Sequence, residues 1–226
     1  MIHQFIFAGP RPNLPASAFQ AYWLHFHAMD YARKIPQIKR YLVAPRLPVK
    51  LGRDLPFFEG AAEIWLQDEA AQLASLRSPE FLNGARADEP RWAAYWQTIA
   101  LDTESYILVD ESKSASLVKL YVLLKRRAEL PLESFRESLL QWSVDDRPPG
   151  QRRRCVGLAR DALYGLGEPR FDAVDVISFD DLQTLEAACS ARALVNDASL
   201  YSGLIDPRYF FVMAAQENWI IGPAER

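Results

Sequence analysis

Two histidines and an aspartate in one predicted helix are the residues whose types and spacing best suit chemistry. His25 and His27 lie in the middle of residues 16–41, ASAFQAYWLHFHAMDYARKIPQIKRY. An imidazole, with an ordinary pKa of about 6.5, can accept or donate a proton at neutral pH. Asp30 follows His27 by one helical turn, where its carboxylate would hold the ring in one tautomer. The pattern predicts His27 as general acid or base and Asp30 as its partner.

The helix that carries these residues is predicted to be amphipathic and to end at or before Ile35, because Pro36 follows. At about 100° per residue, His27 lies at the flank of an apolar side and His25 points away from it. That side consists of Phe19, Tyr22, Trp23, Phe26 and Asp30. In the alternative interpretation, His27 is a structural histidine bonded to a backbone carbonyl, and Asp30 pairs with a nearby basic side chain.

Further candidates are aromatic, acidic and imidazole side chains that could line a pocket. Aromatic walls suit a flat apolar ligand, and a tyrosine hydroxyl can polarise a carbonyl group. A carboxylate buried in a strand would have a raised pKa and could act as an acid, although a cross-strand partner is commoner. Aromatic residues at helical spacing are also commonly plain core. The predicted substrate-binding residues are Tyr22, Trp23, Tyr41, Glu63, Trp65 and His3.

The composition excludes several classes of protein and of site. A net charge of -3 over 226 residues argues against nucleic-acid binding. Cys155 and Cys189 lack metal-ligand spacing, and three histidines do not form a convincing metal site, so no metal and no tightly bound cofactor are expected. No apolar run approaches the roughly 20 residues of a membrane helix. The simplest location is cytoplasmic.

The one basic run, residues 147–154, is interpreted as a solvated loop rather than a phosphate-binding site.

The second half of the chain repeats the first. Leu130-Pro131-x-x-Ser134-Phe135 restates Leu14-Pro15-x-x-Ala18-Phe19, and residues 174–181 restate residues 61–68. Each copy has the order β-α-β-β-α-β, the split βαβ arrangement of a ferredoxin-like domain. Strands such as residues 120–124 are apolar on both faces, which predicts two sheets packed face to face with a space between them. The predicted domains are residues 1–110 and 117–226, joined by a linker at 111–116.

The first copy resembles the EthD family of the dimeric α+β barrel superfamily. The resemblance rests on Phe19-x-x-Tyr22-Trp23-x-x-x-His27-Ala28, Pro36-x-Ile38-x-x-Tyr41, Ala62-Glu63-Ile64-Trp65, Ser78-Pro79-Glu80-Phe81 and Ala87-Asp88-Glu89. It implies an α+β fold in which the two repeats pack sheet to sheet as an intramolecular dimeric α+β barrel. In the second copy, the histidine position falls on Ser143, the proline on Arg152 and the tyrosine on Gly157. One functional pocket per chain is therefore expected, in the first copy.

The resemblance also implies a function with small molecules. Relatives of this kind include cofactor-free lyases that act on aromatic or polyketide-like carbonyl compounds, and they are usually homodimers, which leaves a homodimer of the fused chain open. The first hypothesis is an enzyme for decarboxylation, dehydration or cyclisation with His27 as acid or base. The second is a non-catalytic accessory protein that binds a hydrophobic aromatic metabolite. The third is a haem or flavin protein.

Overall fold

The protein is described by a computed structural model that covers residues 1–49, 51, 57–112, 117–165, 167–192, 201 and 203–226. Its residues form two compact units. Unit 1 consists of Met1–Arg46, Phe57–Asp102 and Glu217–Arg226, and unit 2 of Leu47–Pro56 and Thr103–Gln216. Within the described residues, no helix has both the length and the apolar character needed to cross a membrane.

Unit 1 combines a sheet with a layer of short helices. The strands are β1 (Ile2–Ala8), β2 (Ile38–Pro45), β3 (Gly60–Leu66), the first part of β4 (Ile99–Asp110) and β9 (Asn218–Ile221). They lie in the order β4-β1-β3-β2-β9. The helical segments are α1 (Ala16–Tyr22), a π-helix over Trp23–Tyr31, a 3-10 turn at Ala32–Lys34, α2 (Glu69–Arg77), a π-helical turn at Glu80–Ala85, α3 (Arg86–Asp88) and 3-10 turns at Glu89–Arg91 and Tyr95–Gln97.

The π-helix changes which side chains of the long helix are buried. Its i→i+5 hydrogen bonds widen the turn, so residues four and five apart share a face. Trp23, His27 and Ala28 are therefore buried, while Phe26 and Asp30 are exposed. The prediction of one regular α-helix with Phe26 and Asp30 on the apolar side was wrong, because it assumed about 100° per residue throughout.

Unit 2 has the same order of elements. Its strands are the second part of β4, β5 (Val118–Leu124), β6 (Arg153–Ala159), β7 (Ala173–Phe179) and β8 (Phe211–Gln216), in the order β8-β5-β7-β6-β4. Its helices are α4 (Leu132–Asp145), α5 (Asp161–Tyr164) and α6 (Leu182–Arg192), with a 3-10 turn at Pro207–Tyr209. The predicted pair of ferredoxin-like β-α-β-β-α-β repeats is confirmed, and all the pairings given between named strands are antiparallel.

Strand pairing divides the chain differently from its order in sequence. Strand β9 at the C-terminal end pairs with β2, where Leu42 lies opposite Trp219, so residues 217–226 belong to unit 1 rather than to the second copy. Thr103–Asp110 pairs with β6 and belongs to unit 2. Residues 113–116 of the predicted linker lie outside the described residues. The hydrogen bonds between β9 and β2 therefore explain why the last residues belong to unit 1, and not to the second domain that the repeat predicted.

Candidate functional site

Unit 1 contains an apolar cavity of about 110 Å³ between its sheet and its helices. Gln4, Ile6 and Ala8 of β1 line it, and so do Ala62 and Ile64 of β3, because alternate residues of a strand face the same side. The helical side supplies Trp23, His27, Phe81, Glu89, Trp92 and Tyr95. The sequence predicted a pocket in the first copy but expected the space on the other face of the sheet. Side-chain alternation in β1 and β3 places this cavity on the helix-covered face.

His27 is held at the cavity by a buried aspartate. Its Nδ1 lies 3.0 Å from Oδ2 of Asp88, and the two residues are 7% and 2% exposed. Since a carboxylate accepts hydrogen bonds, Nδ1 is the protonated nitrogen. Nε2 is then the ring nitrogen with a free lone pair on a residue that lines the cavity. This is the orientation that a general base requires.

The surroundings keep the imidazole neutral. Burial lowers the pKa of His27 below its ordinary value of 6.5, and the hydrogen bond and charge of Asp88 oppose this shift. Asp88 also accepts a hydrogen bond of 2.9 Å from the hydroxyl of Tyr22, and Nη1 of Arg91 lies 3.6 Å from it. These contacts satisfy a carboxylate that would otherwise be costly to bury. Asp88 is therefore a fixed acceptor that sets the tautomer of His27.

The short segment around Asp88 supplies several parts of the site. Glu89 lines the cavity with a side chain that is 25% exposed, and burial raises its pKa, while its ion pair with Arg86 acts in the opposite direction. The ring of Trp92 packs 4.6 Å from that of His27 between centroids, and its buried indole N–H has no acceptor among the described residues. Residues 88–92 thus bring together the positioning carboxylate of Asp88, the carboxyl group of Glu89 and the aromatic ring of Trp92.

Two further aromatic residues that the sequence predicted also belong to the cavity wall. Tyr41 and Trp23 line the cavity, and each is at most 3% exposed. Burial raises the pKa of Tyr41 well above its ordinary value, and a hydrogen bond with Trp23 opposes this, so the hydroxyl is a neutral donor at physiological pH. Gly60 lets Trp23 approach the sheet, because a Cβ there would lie 3.1 Å from the indole ring. These packed rings form apolar parts of the wall beside His27.

Asp30 does not take the place that the sequence gave it. Its side chain is exposed, and Asp88 occupies the position of the orienting carboxylate. The cause is the π-helical turn, which rotates Asp30 away from the face that carries His27. Asp88 is 61 residues from His27 in the chain. The sequence signal for Asp88 is its place in Ala87-Asp88-Glu89, one of the motifs that resemble the EthD family.

Three of the predicted binding residues lie on the other face of the same sheet. His3 Nε2 is 3.0 Å from Oε2 of Glu63, and both side chains are buried. The His3 ring stacks on Trp65 at 4.1 Å, and Trp65 stacks on Trp219 at 5.6 Å. None of the four lines the cavity around His27. Odd-numbered residues of β1 and β3 point away from the helices. The predicted binding residues therefore divide into two groups, one on each face of the sheet. Tyr22, which donates a hydrogen bond to Asp88, belongs to the group around His27.

The corresponding interior of unit 2 is filled by an ion pair. Ile64 lies opposite Tyr41, and its equivalent in the repeat, Ile177, lies opposite Arg154. Arg154 therefore takes the place of Tyr41, which corrects the expectation that this position falls on Gly157. The guanidinium is 0% exposed and binds both carboxylate oxygens of Asp175, at 3.1 and 2.6 Å. The interpretation of residues 147–154 as a solvated loop is wrong for Arg154.

Ligand size and metal chemistry follow from the same geometry. About 110 Å³ is well below the roughly 300–1,000 Å³ of pockets for drug-sized ligands, and a haem or a flavin is at least that large. An engineered apolar cavity of about 150 Å³ holds benzene. The site therefore fits a ligand with about one ring. In the part of the chain that the structure describes, no group of His, Cys, Asp and Glu side chains could hold a metal ion.

A family model matches the part of the chain that carries these residues. Residues 11–95, which include His27, Asp88 and Trp92, match the model of the EthD domain. This part of the chain is therefore similar to EthD domains. No match was found among curated proteins. The match falls in the first copy, so the resemblance inferred from the sequence is confirmed there, and the matched residues include most of those that line the cavity.

Solved structures resemble the chain in fold over nearly its whole length. An anthrone oxidase-like protein has a TM-score of 0.63 at 12% identity, covering 98% of this chain and 94% of its own. A putative monooxygenase from Fusobacterium nucleatum has a TM-score of 0.58 at 11% identity, with coverage of 96% and 92%. A chlorite dismutase mutant from Candidatus Nitrospira defluvii has a TM-score of 0.54 at 9% identity, with coverage of 99% and 93%. This likeness confirms the predicted α+β fold class.

Proposed function

We propose that this protein is a small-molecule enzyme in which His27 transfers a proton next to a carbonyl group, without a tightly bound cofactor. The observation that carries the proposal is the buried His27–Asp88 pair at the wall of an apolar cavity. The structural neighbours named as monooxygenase and as anthrone oxidase-like support an enzyme of small molecules as a class. The reaction types that fit such a proton transfer are decarboxylation, dehydration and cyclisation of an aromatic or polyketide-like carbonyl compound.

The roles of the residues follow from their contacts. Neutral His27 accepts a proton through Nε2 from the carbon next to the carbonyl group, and the imidazolium that forms is stabilised by Asp88 at Nδ1. Tyr41, a neutral donor at the cavity wall, donates a hydrogen bond to the carbonyl oxygen as negative charge develops there. In a dehydration, His27 then gives the proton to the leaving hydroxyl, which departs as water; in an aldol-type cyclisation, it gives the proton to the oxygen of the carbonyl group that the enolate attacks. In a decarboxylation, CO2 leaves instead of the α-proton, and protonated His27 protonates the carbon that carried it. Asp88 acts through His27 and is a positioning residue.

The proposal can be tested without knowing the natural substrate, because removal of the α-proton is its elementary step. We expect the protein to accelerate exchange of the α-hydrogens of small ring ketones, such as cyclohexanone and acetophenone, in D2O, as followed by proton NMR. His27→Gln should slow this exchange by about 100-fold or more, the effect typical of losing a general base. The matched control is His25→Gln, two residues away and exposed, which should exchange at the wild-type rate.

Asp88→Asn provides a separate check of positioning. The amide keeps the size of the carboxylate but does not stabilise the imidazolium, so exchange should slow while the ketone still binds. Exchange that His27→Gln leaves unchanged would disprove the proton-transfer role. Ketones that bind without any exchange would favour the alternative, a non-catalytic accessory protein that binds a hydrophobic aromatic metabolite.

A further inference from the structure

The charges around the cavity are arranged asymmetrically. Among the residues that the structure describes, no lysine or arginine lines the cavity, whereas Glu89 does. Arg86 and Arg91 lie nearby, but their side chains are 51% and 66% exposed and they face Glu89 and Asp88. An anion in this space would have no buried cation to pair with, and an unpaired buried charge is strongly unfavourable.

Glu89 is the acidic residue in the wall of the cavity. Its side chain is three-quarters buried, it lines the cavity, and Arg86 bonds one of its carboxylate oxygens. The guanidinium of Arg86 also lies 5.3 Å from the ring centroid of Tyr95, another lining residue. The carboxylate of Glu89 thus occupies the side of Arg86 that a ligand anion would otherwise bind. Through both its charge and this contact, Glu89 opposes the entry of a carboxylate.

We propose that the cavity selects neutral ligands of about one ring and rejects carboxylates, with Glu89 as the residue that determines this specificity. This inference rests on the proposed function and narrows its substrate class. A neutral carbonyl compound, enolised by His27 for dehydration or cyclisation, fits the lining. Decarboxylation requires the substrate carboxylate to enter the cavity, and it is disfavoured.

The test uses benzamide and benzoate, which have the same number of heavy atoms and differ mainly in charge. Binding to the full chain is measured by isothermal titration calorimetry at about pH 7.5, where a carboxylic acid is ionised. We expect wild type to bind benzamide at least about tenfold more tightly than benzoate. Glu89→Gln should reduce that ratio at least about threefold by improving benzoate binding, because the mutation removes a like charge and frees Arg86.

Two further variants keep the result specific. Glu80→Gln changes a nearby glutamate that does not line the cavity, and it should leave the benzamide-to-benzoate ratio unchanged. Arg86→Gln should leave wild-type selectivity in place, since Arg86 is not expected to bind the anion while Glu89 is present. Circular dichroism of each variant checks that it is folded.

The outcomes separate the selectivity from the proposed function. Equal binding of both probes, or a ratio that Glu89→Gln does not change, would overturn the selectivity but leave the His27 site standing. Benzoate binding more tightly than benzamide, with the preference lost in Arg86→Gln, would show that Arg86 binds anions at the cavity and would overturn the inference. If neither probe binds, the selectivity for neutral one-ring ligands is overturned, while the role of His27 is decided separately by the hydrogen-exchange experiment.

Discussion

The interior of unit 1 and that of unit 2 have the same framework and opposite contents. In unit 1, small and apolar side chains such as Ala62 leave a cavity beside His27 and Tyr41. In unit 2, the equivalent positions are Asp175, Ser143 and Arg154. The guanidinium of Arg154 binds the carboxylate of Asp175, and it also donates a hydrogen bond of 3.0 Å to the backbone oxygen of Ser143. One repeat keeps space for a ligand, and the other fills that space with a paired charge.

The pair in unit 2 is held from several sides. The ring of Trp142 lies 4.9 Å from the guanidinium of Arg154, and Tyr201 donates a hydrogen bond of 3.2 Å to Asp175. Asp146 contributes a further backbone acceptor. A buried ion pair of this kind does not by itself make a protein more stable than an apolar core, but removal of one partner is severe. The two units therefore share the same arrangement of strands. The residues of the sheet that face the helices determine whether the interior contains a cavity or is filled.

The largest effect is expected from breaking the pair in unit 2. Arg154→Met should lower the free energy of unfolding by about 3–5 kcal/mol, because Asp175 is left buried and charged without its partner. Urea denaturation measures this. Arg153→Met is the matched control: its ion pair with Asp110 is partly exposed, so its loss should stay within about 1 kcal/mol. Equal losses in both variants would contradict the structural difference between the two interiors.

A double variant sharpens the same point. Arg154→Met combined with Asp175→Leu replaces the ion pair by apolar side chains and should recover most of the stability lost in Arg154→Met alone. A double variant as unstable as the single one would show that the pair contributes more than compensation of a buried charge.

A smaller effect is expected from making unit 1 resemble a filled core. Ala62→Leu adds apolar volume to the cavity and should raise the free energy of unfolding by about 1 kcal/mol, as cavity-filling substitutions do. The same change should weaken benzamide binding at least about tenfold, because the ligand and the new side chain compete for one space. Ala74→Leu, on the exposed side of α2, is the control and should alter neither quantity strongly. Unchanged benzamide affinity in Ala62→Leu would place the ligand elsewhere.

The smallest effect is a pH dependence specific to unit 1. Burial lowers the pKa of His27, so the unfolded chain binds a proton more readily than the folded one. The contribution of His27 to stability is fully present above its unfolded pKa of about 6.5 and declines as the pH falls below that value, until the folded pKa is reached. Unfolding free energies of wild type and His27→Gln, measured from neutral to mildly acidic pH, should converge or cross in that direction. A constant difference would show that His27 does not titrate with folding.

The site illustrates how far the sequence could lead. His27 was predicted from its type and its aromatic neighbours, and Trp23 and Tyr41 from the EthD resemblance and their place near it; all three line the cavity. Asp30 was predicted as the partner of His27 from an i, i+3 spacing that holds in an α-helix, and the π-helical turn invalidated that spacing. His3, Glu63 and Trp65 were assigned to the same pocket as His27, but side-chain alternation along β1 and β3 places them on the opposite face of the sheet.

The sequence by itself determined the repeat, the β-α-β-β-α-β order of each copy and the loss of the histidine in the second copy, because these depend on local patterns of apolar and turn-forming residues. Only the tertiary structure decided that Asp88 orients His27, that Arg154 is buried rather than solvated, and that residues 217–226 belong to unit 1. Those outcomes depend on strand register and on contacts between residues far apart in the chain. A short stretch of sequence does not reveal such contacts, because burial and strand pairing depend on how all the helices and strands pack together.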